Sequence, residues 1–357
     1  MSLKKNTVLI GLSGGVDSSV AAFILKEKGY EVHGIHFILT DSKSSDENLE
    51  ITKKISKQLD IPLIVLDIRK DFEKTVIKYF IESYKDGLTP NPCVICNPYI
   101  KFKYSILEAK NRGISFVATG HYARIQKQNN RYMLTKALYL EKDQSYFLAL
   151  LPKDYLKWII FPLGEFSKSK VVEIAKEIGV YENVLPESQE VCFLKGDYRE
   201  FLLERCPFLM KEGEIVDING RVLGRHLGLF RYTIGQRRGL GIPDKTPYYV
   251  VSLDVKSNRL VVGKSEHLFS KKFIVDRLNW LDKEMAFNGS GVKVKIRFRH
   301  KGSKAIIKEI NKDKILVEFL EPQRAITPGQ FAVFYLNDQV LGGGRICELP
   351  SIHWAVK

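Results

Sequence analysis

Cysteine is scarce in this chain and odd in number. Five in 357 residues are too few for a disulfide framework, which points to reduced thiols and leaves some of them free for catalysis or metal binding. Apolar runs are short: no stretch approaches the roughly 20 residues of a bilayer span. The apolar start MSLKKNTVLIGL breaks at SGGVD without the small-residue cleavage site of a secretory signal. A cytoplasmic protein with no membrane partner is the expectation. A second CxxC or a paired His is lacking, which argues against a complete structural zinc site. The sequence carries no repeat and no low-complexity segment. What it does carry is 45% hydrophobic and 27% charged residues, enough for sizeable cores in two or three domains. Its 56 Lys+Arg against 41 Asp+Glu leave a formal charge of +15. A field of that sign attracts a polyanion, nucleic acid first of all, although solubility alone would produce the same sum.

Short β-rich runs alternate with helical patterns over the first third. VLIGL (8–12), EVHGIHFIL (31–39), IPLIVLDI (61–68) and ISFVATG (114–120) read as buried strands. Between them Val20/Ile24, Ile51/Ile55/Leu59 and Phe72/Val76/Phe80 repeat at the spacing of one helix face. This order predicts an α/β fold with a doubly wound parallel sheet, whose ligands lie beyond the carboxyl ends of the strands. A hairpin around QKQNNR (126–131), a serine-capped helix over 167–178 and a helix over 197–206 follow. Beyond Pro207 the pattern turns to β, with an Asn219-Gly220 hairpin turn. We expect a catalytic domain over 1–206, a small β-rich linker domain over 207–270 and a C-terminal β-barrel over 271–357.

GLSGGVDSS (11–19) joins the first strand to the first helix. Gly14 and Gly15 permit backbone conformations closed to other residues, Ser13, Ser18 and Ser19 add hydroxyls, and the helix dipole points its positive end at the same spot. That is a phosphate site. No Lys-Ser/Thr follows the glycines, so it is not a Walker loop and γ-phosphoryl chemistry is not implied. The pattern SGGVDS resembles the PP-loop of ATP pyrophosphatases, which transfer AMP to a substrate oxygen and release pyrophosphate. Asp17 would then help to hold the Mg²⁺ of MgATP. A bare strand-to-helix turn is the bland alternative.

The remaining motifs carry a closer resemblance. TPNPCVICN (89–97) with IKF behind it, TGHYAR (119–124), KDQSYFL (142–148), VCFL (191–194), YTIGQRRGLGI (232–242) and TPGQFAVFY (327–335) together resemble the bacterial tRNA-specific 2-thiouridylases, from about Val8 to Gly344. That family places sulfur on C2 of the wobble uridine, position 34, in tRNAs for Lys, Glu and Gln. The resemblance implies ATP around Gly11, Leu12, Ser13, Gly14, Gly15, Val16, Asp17, Ser18, Phe37 and Gly120. It implies the target base at Asn91, Pro92 and Cys93, and tRNA at His121, Lys142, Asp143, Gln144, Arg297, Phe298 and Gln330. Cys96 matches the nucleophilic cysteine and Cys192 the persulfide carrier. Adenylation turns the C2 oxygen into a leaving group. The terminal sulfur on Cys192 then attacks C2, or Cys96 first frees sulfide from it. Both routes end in a Cys96–Cys192 disulfide, so a persulfide sulfur donor and a disulfide reductant are implied partners.

Cys93 departs from the family, many of whose members have an aspartate there. As a thiol it can carry a proton; alternatively Cys93, Cys96 and Cys192 hold three irons of a [4Fe–4S] cluster. The persulfide route is the preferred reading. For His121 the alternative is a histidine hydrogen-bonded within the fold. GVKVKIRFRHK (291–301) alternates apolar residues with Lys293, Lys295, Arg297 and Arg299, which predicts one strand with a wholly basic face, for phosphate or for solvent. GQRRG (235–239) adds Arg237 and Arg238 near the expected catalytic face. Cys206 and Cys347 read as small packed residues. The rivals are another PP-loop enzyme, either a different tRNA-modifying enzyme or an amidating ligase, and a non-catalytic RNA-binding protein.

Overall fold

The computed structural model of the chain describes residues 4–185, 191–194, 196–288 and 291–349. It opens with β1 (Lys4–Gly11), α1 (Val16–Glu27), β2 (Glu31–Ile38), α2 (Lys43–Gln58) and β3 (Leu63–Asp67). Next come α3 (Arg69–Phe72) and α4 (Lys78–Lys85), joined through a π-turn at Glu73–Ile77. A second π-turn, Asn97–Phe102, joins α5 (Pro92–Cys96) to α6 (Lys103–Arg112). β4 (Ile114–Ala118), β5 (Ala123–Gln128), β6 (Arg131–Lys136), β7 (Ile159–Ile160), α7 (Lys168–Glu177) and α8 (Tyr198–Arg205) complete this part.

Five strands form a parallel sheet in the order β3-β2-β1-β4-β7. β1 lies at its centre because its side chains are apolar on both faces. Val8 and Ile10 enter the cluster with Val20, Leu25 and Val171, while Leu9 enters the cluster with Val94, Phe102 and Val117. The expectation that 61–68 is buried needs correcting: β3 is the sheet edge, and Val65 is 41% exposed. The helices expected over 167–178 and 197–206 are present as α7 and α8, capped by Ser167 and Asp197.

The second part is a four-stranded sheet, built from β8 (Gly213–Asp217), β9 (Val222–His226), β10 (Tyr249–Asp254) and β11 (Arg259–Gly263). Its Asn219-Gly220 turn is tied by Asp217, whose Oδ1 accepts from Asn219 N at 2.9 Å and Arg221 N at 3.0 Å. The third part holds β12 (Phe269–Trp280), α9 (Lys283–Asn288), β13 (Lys293–Lys295), β14 (Ser303–Asn311), β15 (Lys314–Arg324), β16 (Phe331–Leu336) and β17 (Gln339–Glu348). Six of its strands close into a barrel through the β12–β17 pairing. The hairpin β5–β6 joins this barrel at β17 and so ties the first part to the third.

The basic strand is shorter than its alternation predicts. β13 ends at Lys295, and a turn closed by His300 N to Arg297 O at 3.0 Å takes the chain out of the sheet. Phe298 gives the reason, since its ring packs 4.5 Å from that of Phe147 across the seam with the first part. Arg297 turns to donate to Arg324 O at 3.1 Å and Ala325 O at 3.4 Å, so the basic face is broken there.

Candidate active site

The phosphate loop spans the gap from Gly11 to Val16 at the carboxyl edge of the sheet, beside the point where strand order reverses between β1 and β4. Gly14 has φ +81°, and its carbonyl accepts from Leu185 N at 2.9 Å. Ser13 N donates to Ser18 Oγ at 3.3 Å, and Ser18 and Ser19 Oγ donate to Gly15 O at 3.0 and 2.9 Å. No side chain caps α1, so the N–H groups of its first turn and its dipole face the loop. Gly120, in the turn after β4, rests directly on this loop: a Cβ there would lie 2.8 Å from Asp17 C and Ser18 N. Leu12 is buried, Val16 is half-buried, and Phe37 near the end of β2 packs against the cluster of Phe72, Cys96 and Ile100.

Asp17 has two partners that sequence reasoning missed. Its Oδ1 accepts from Tyr122 OH at 2.8 Å and from Lys168 Nζ at 2.7 Å. Lys168 is the first residue of α7, where the helix dipole disfavours a cation. A lysine in that place was the available signal.

Asn91 is the N-cap of α5 and Pro92 its first residue, the position at which proline is preorganised. Cys93 is exposed and Cys96 buried at 5%. The π-turn then returns Lys101 to Cys96, because i→i+5 bonding stacks residues five apart. There the Lys101 backbone N–H, like its charge, favours the Cys96 thiolate. Cys192 arrives on a turn closed by Leu194 N to Val191 O at 2.9 Å. Phe193 anchors that turn, its ring 5.7 Å from Phe72 and 5.4 Å from Phe80, against the same cluster that buries Cys96. PESQE (186–190), just before it, lies outside the described residues.

Burial pushes the Cys96 thiol up to about 12, opposed by the Lys101 charge and reinforced by Cys192 and Cys93. Desolvation by the surrounding protein raises Cys93 and Cys192 as well, although solvent reaches both residues, and Lys101 again opposes it. At rest the three are thiols. Burial alone would lower Lys101, and Cys96, Cys192 and Cys93 raise it as they ionise, so the ammonium is held most firmly when a sulfur anion forms beside it. Lys101 is thus the cation of the site, missed by sequence reasoning although it stands inside the IKF motif. Among the described residues no three of His, Cys, Asp and Glu are grouped so as to hold a metal ion.

His121 is lowered to about 3 by burial and by Lys101, so it is neutral. Its Nδ1 pairs with Thr119 Oγ1 at 2.7 Å, and its ring lies near Phe102 and Phe161. Asp143 turns inward and accepts from Ala137 N, Ser145 N and Ser145 Oγ. Gln144 Oε1 accepts from Tyr122 N at 3.0 Å. Lys142 is half-buried beside them. Gln330 donates from Nε2 to Thr89 O at 3.0 Å and Pro90 O at 3.4 Å, Thr89 N donates to Pro328 O, and Thr89 Oγ1 donates to Thr233 Oγ1 at 3.5 Å. The second and third parts therefore grip the 89–92 loop. Cys206 is buried and Cys347 donates to Ile274 O at 3.5 Å, both away from the site.

Among the described residues no helix is long and apolar enough to cross a membrane. Residues 6–196 match the family described as the tRNA methyl transferase HUP domain, 199–264 its PRC-barrel domain, and 270–346 the aminomethyltransferase beta-barrel domain. The tRNA-specific 2-thiouridylase MnmA of Carboxydothermus hydrogenoformans is 43% identical over 96% of this chain and 98% of that protein. MnmA of Treponema denticola is 43% identical over 95% and 97%. Among solved structures, the U34-tRNA thiolase NcsA from Methanococcus maripaludis with its [4Fe–4S] cluster covers 58% of this chain and 66% of its own, at 18% identity and a TM-score of 0.36. That likeness is too distant to bear on function. The near-full-length relatives do bear on it: the chain belongs to the tRNA-specific 2-thiouridylase family and is a tRNA-uridine 2-sulfurtransferase.

Proposed function

We propose that this enzyme thiolates C2 of uridine 34 in tRNAs for Lys, Glu and Gln, through an adenylated uridine and a persulfide on Cys192. The observation that carries the reading is the Cys192 turn, packed through Phe193 on the cluster that buries Cys96, in the fold that also holds the phosphate loop. The units 1–206, 207–270 and 271–357 divide the work into chemistry, linkage and RNA contact.

ATP occupies Gly11–Ser18, with Phe37 and Gly120 beside it. Mg²⁺, when bound, would be held by the Asp17 carboxylate and would draw charge from the phosphates. Lys168, released from Asp17, compensates the charge of departing pyrophosphate. The C2 oxygen of uridine, flipped against Asn91, Pro92 and Cys93, attacks the α-phosphorus, and pyrophosphate leaves. The terminal sulfur of Cys192–S–S⁻ then attacks C2 and AMP leaves. Cys96 attacks the inner sulfur, the S–S bond breaks towards C2, and thiocarbonyl and a Cys96–Cys192 disulfide result. In the variant order Cys96 frees hydrosulfide before C2 is attacked. Lys101 stabilises each anionic sulfur as it forms, which a buried thiol pair could not do alone. A persulfide donor loads Cys192 and a dithiol reductant resets the disulfide. His121, Lys142, Asp143, Gln144, Arg297, Phe298 and Gln330 shape the surface that receives the RNA. The site lies in the cytoplasm, where thiols stay reduced.

Cys96→Ser and Cys192→Ser test this. Each should abolish 2-thiouridine while pyrophosphate release and tRNA binding persist, and Asp17→Ala should stop pyrophosphate release itself. Thiolation surviving either cysteine change would overturn the reading.

A further inference from the structure

Between α8 and the second part lies a cavity of about 380 Å³ that plays no role in the chemistry above. Three guanidinium groups line it, from Arg199, Arg231 and Arg238, together with Gln236 and Tyr232. Its described lining includes no carboxylate. The Nε atoms of Arg199 and Arg231 are both shut off from solvent and make no hydrogen bond. A buried charged donor left unpaired is a costly state, so neither guanidinium is fully satisfied by the protein around it.

The other contacts of these arginines hold them in place without satisfying them. Arg199 lies against the Tyr198 ring at 5.7 Å and is 3.8 Å from Asp197 at the start of α8. Arg231 lies 5.4 Å from the Phe230 ring and donates weakly to Met210 Sδ at 3.7 Å. The segment that presents Arg238 is fixed by Gln236, which accepts from Thr233 N at 3.1 Å and donates to Arg238 O at 2.9 Å. Thr233 in turn contacts Thr89 in the loop assigned to the target base.

We propose that this cavity is a phosphodiester-binding pocket, which takes one backbone phosphate of the tRNA as its uridine enters the 89–92 loop. The chemistry is that of a planar fork meeting a tetrahedral anion, in which guanidinium groups bond phosphate oxygens two at a time. Because Arg199 follows Cys192 on the short path into α8, the same contact would fix the base of the Cys192 turn. The inference rests on the chain acting on tRNA, as its family does.

The test uses the full-length protein and an unmodified tRNA transcript, with affinity measured against sodium chloride. Arg199→Gln, Arg231→Gln and Arg238→Gln should each weaken binding and reduce the slope of log K against log salt by about 0.7–0.9. Arg199→Gln with Arg231→Gln should lose no more slope than one of them, because both hold the same phosphate. Unchanged slopes in all three would overturn the proposal. So would inorganic phosphate or pyrophosphate binding to wild type, but not to Arg231→Gln, with tRNA slopes intact: the pocket would then be a small-anion site. Arg238 is exposed, so its variant tests the pocket even where a change at Arg199 unfolds the protein. Failure of the underlying reading looks different, for then wild type itself would neither bind nor thiolate the transcript.

Discussion

Gln330 offers the sharpest discrimination between two readings of one residue. The family resemblance makes it a tRNA contact, whereas its amide is already bonded to Thr89 O and Pro90 O. In Gln330→Ala the loop keeps Thr89 N to Pro328 O but loses the two bonds at 3.0 and 3.4 Å. Two neutral hydrogen bonds, one of them long, are worth about 1–2 kcal/mol together. If that energy holds Asn91 and Pro92 in the conformation that receives the base, the productive loop becomes about 5–30-fold rarer. Single-turnover thiolation at saturating tRNA should then slow by that factor, with tRNA affinity retained. Gln330→Glu should be worse, since it sets a carboxylate against two carbonyl oxygens. A loss confined to affinity would make Gln330 a direct RNA contact, and no loss in either quantity would refute the brace.

Lys168→Met removes the cation bonded to Asp17 at 2.7 Å, so pyrophosphate release should slow while tRNA binding holds; an unchanged release rate would take Lys168 out of the site. For Cys96, burial raises the folded pKa to about 12, above the ~8.5 of an exposed thiol. The unfolded chain therefore loses this proton first, and the stability of the neutral buried thiol, complete below that lower value, is lost as pH climbs through the window between them. Cys96→Ala should show a shallower alkaline loss of stability than wild type in denaturant titrations, and parallel curves would refute the burial argument. Cys93→Asp should keep most thiolation, because a carboxylate beside Lys101 can also accept and return a proton. Loss of thiolation with pyrophosphate release intact would make the Cys93 sulfur itself a participant.

What the sequence made legible was local, and what it hid was not. The strand–loop–helix setting of residues 11–19 could be read because it is written in nine consecutive residues. The helix start at Ser167 was equally local, signalled by its own cap. Strand β13 was misjudged because alternation records only which side chains prefer a buried face. It carries no information about Phe298, which leaves the sheet to meet Phe147 from another domain. The same holds for the β5–β6 hairpin, whose turn was legible and whose pairing with β17 was not. Lys101 and Lys168 were missed for a further reason. A lysine is read as a solvated charge unless something opposes that reading, and here the opposition is three-dimensional. A π-turn brings one back over Cys96, and the head of α7 carries the other to Asp17. Both are cations held where burial or a helix dipole disfavours them, Lys168 facing Asp17 and Lys101 facing Cys192, each far away in sequence. Positive charge maintained at such cost is what the proposed reaction calls for, in which one step would release pyrophosphate and the next would form anionic sulfur.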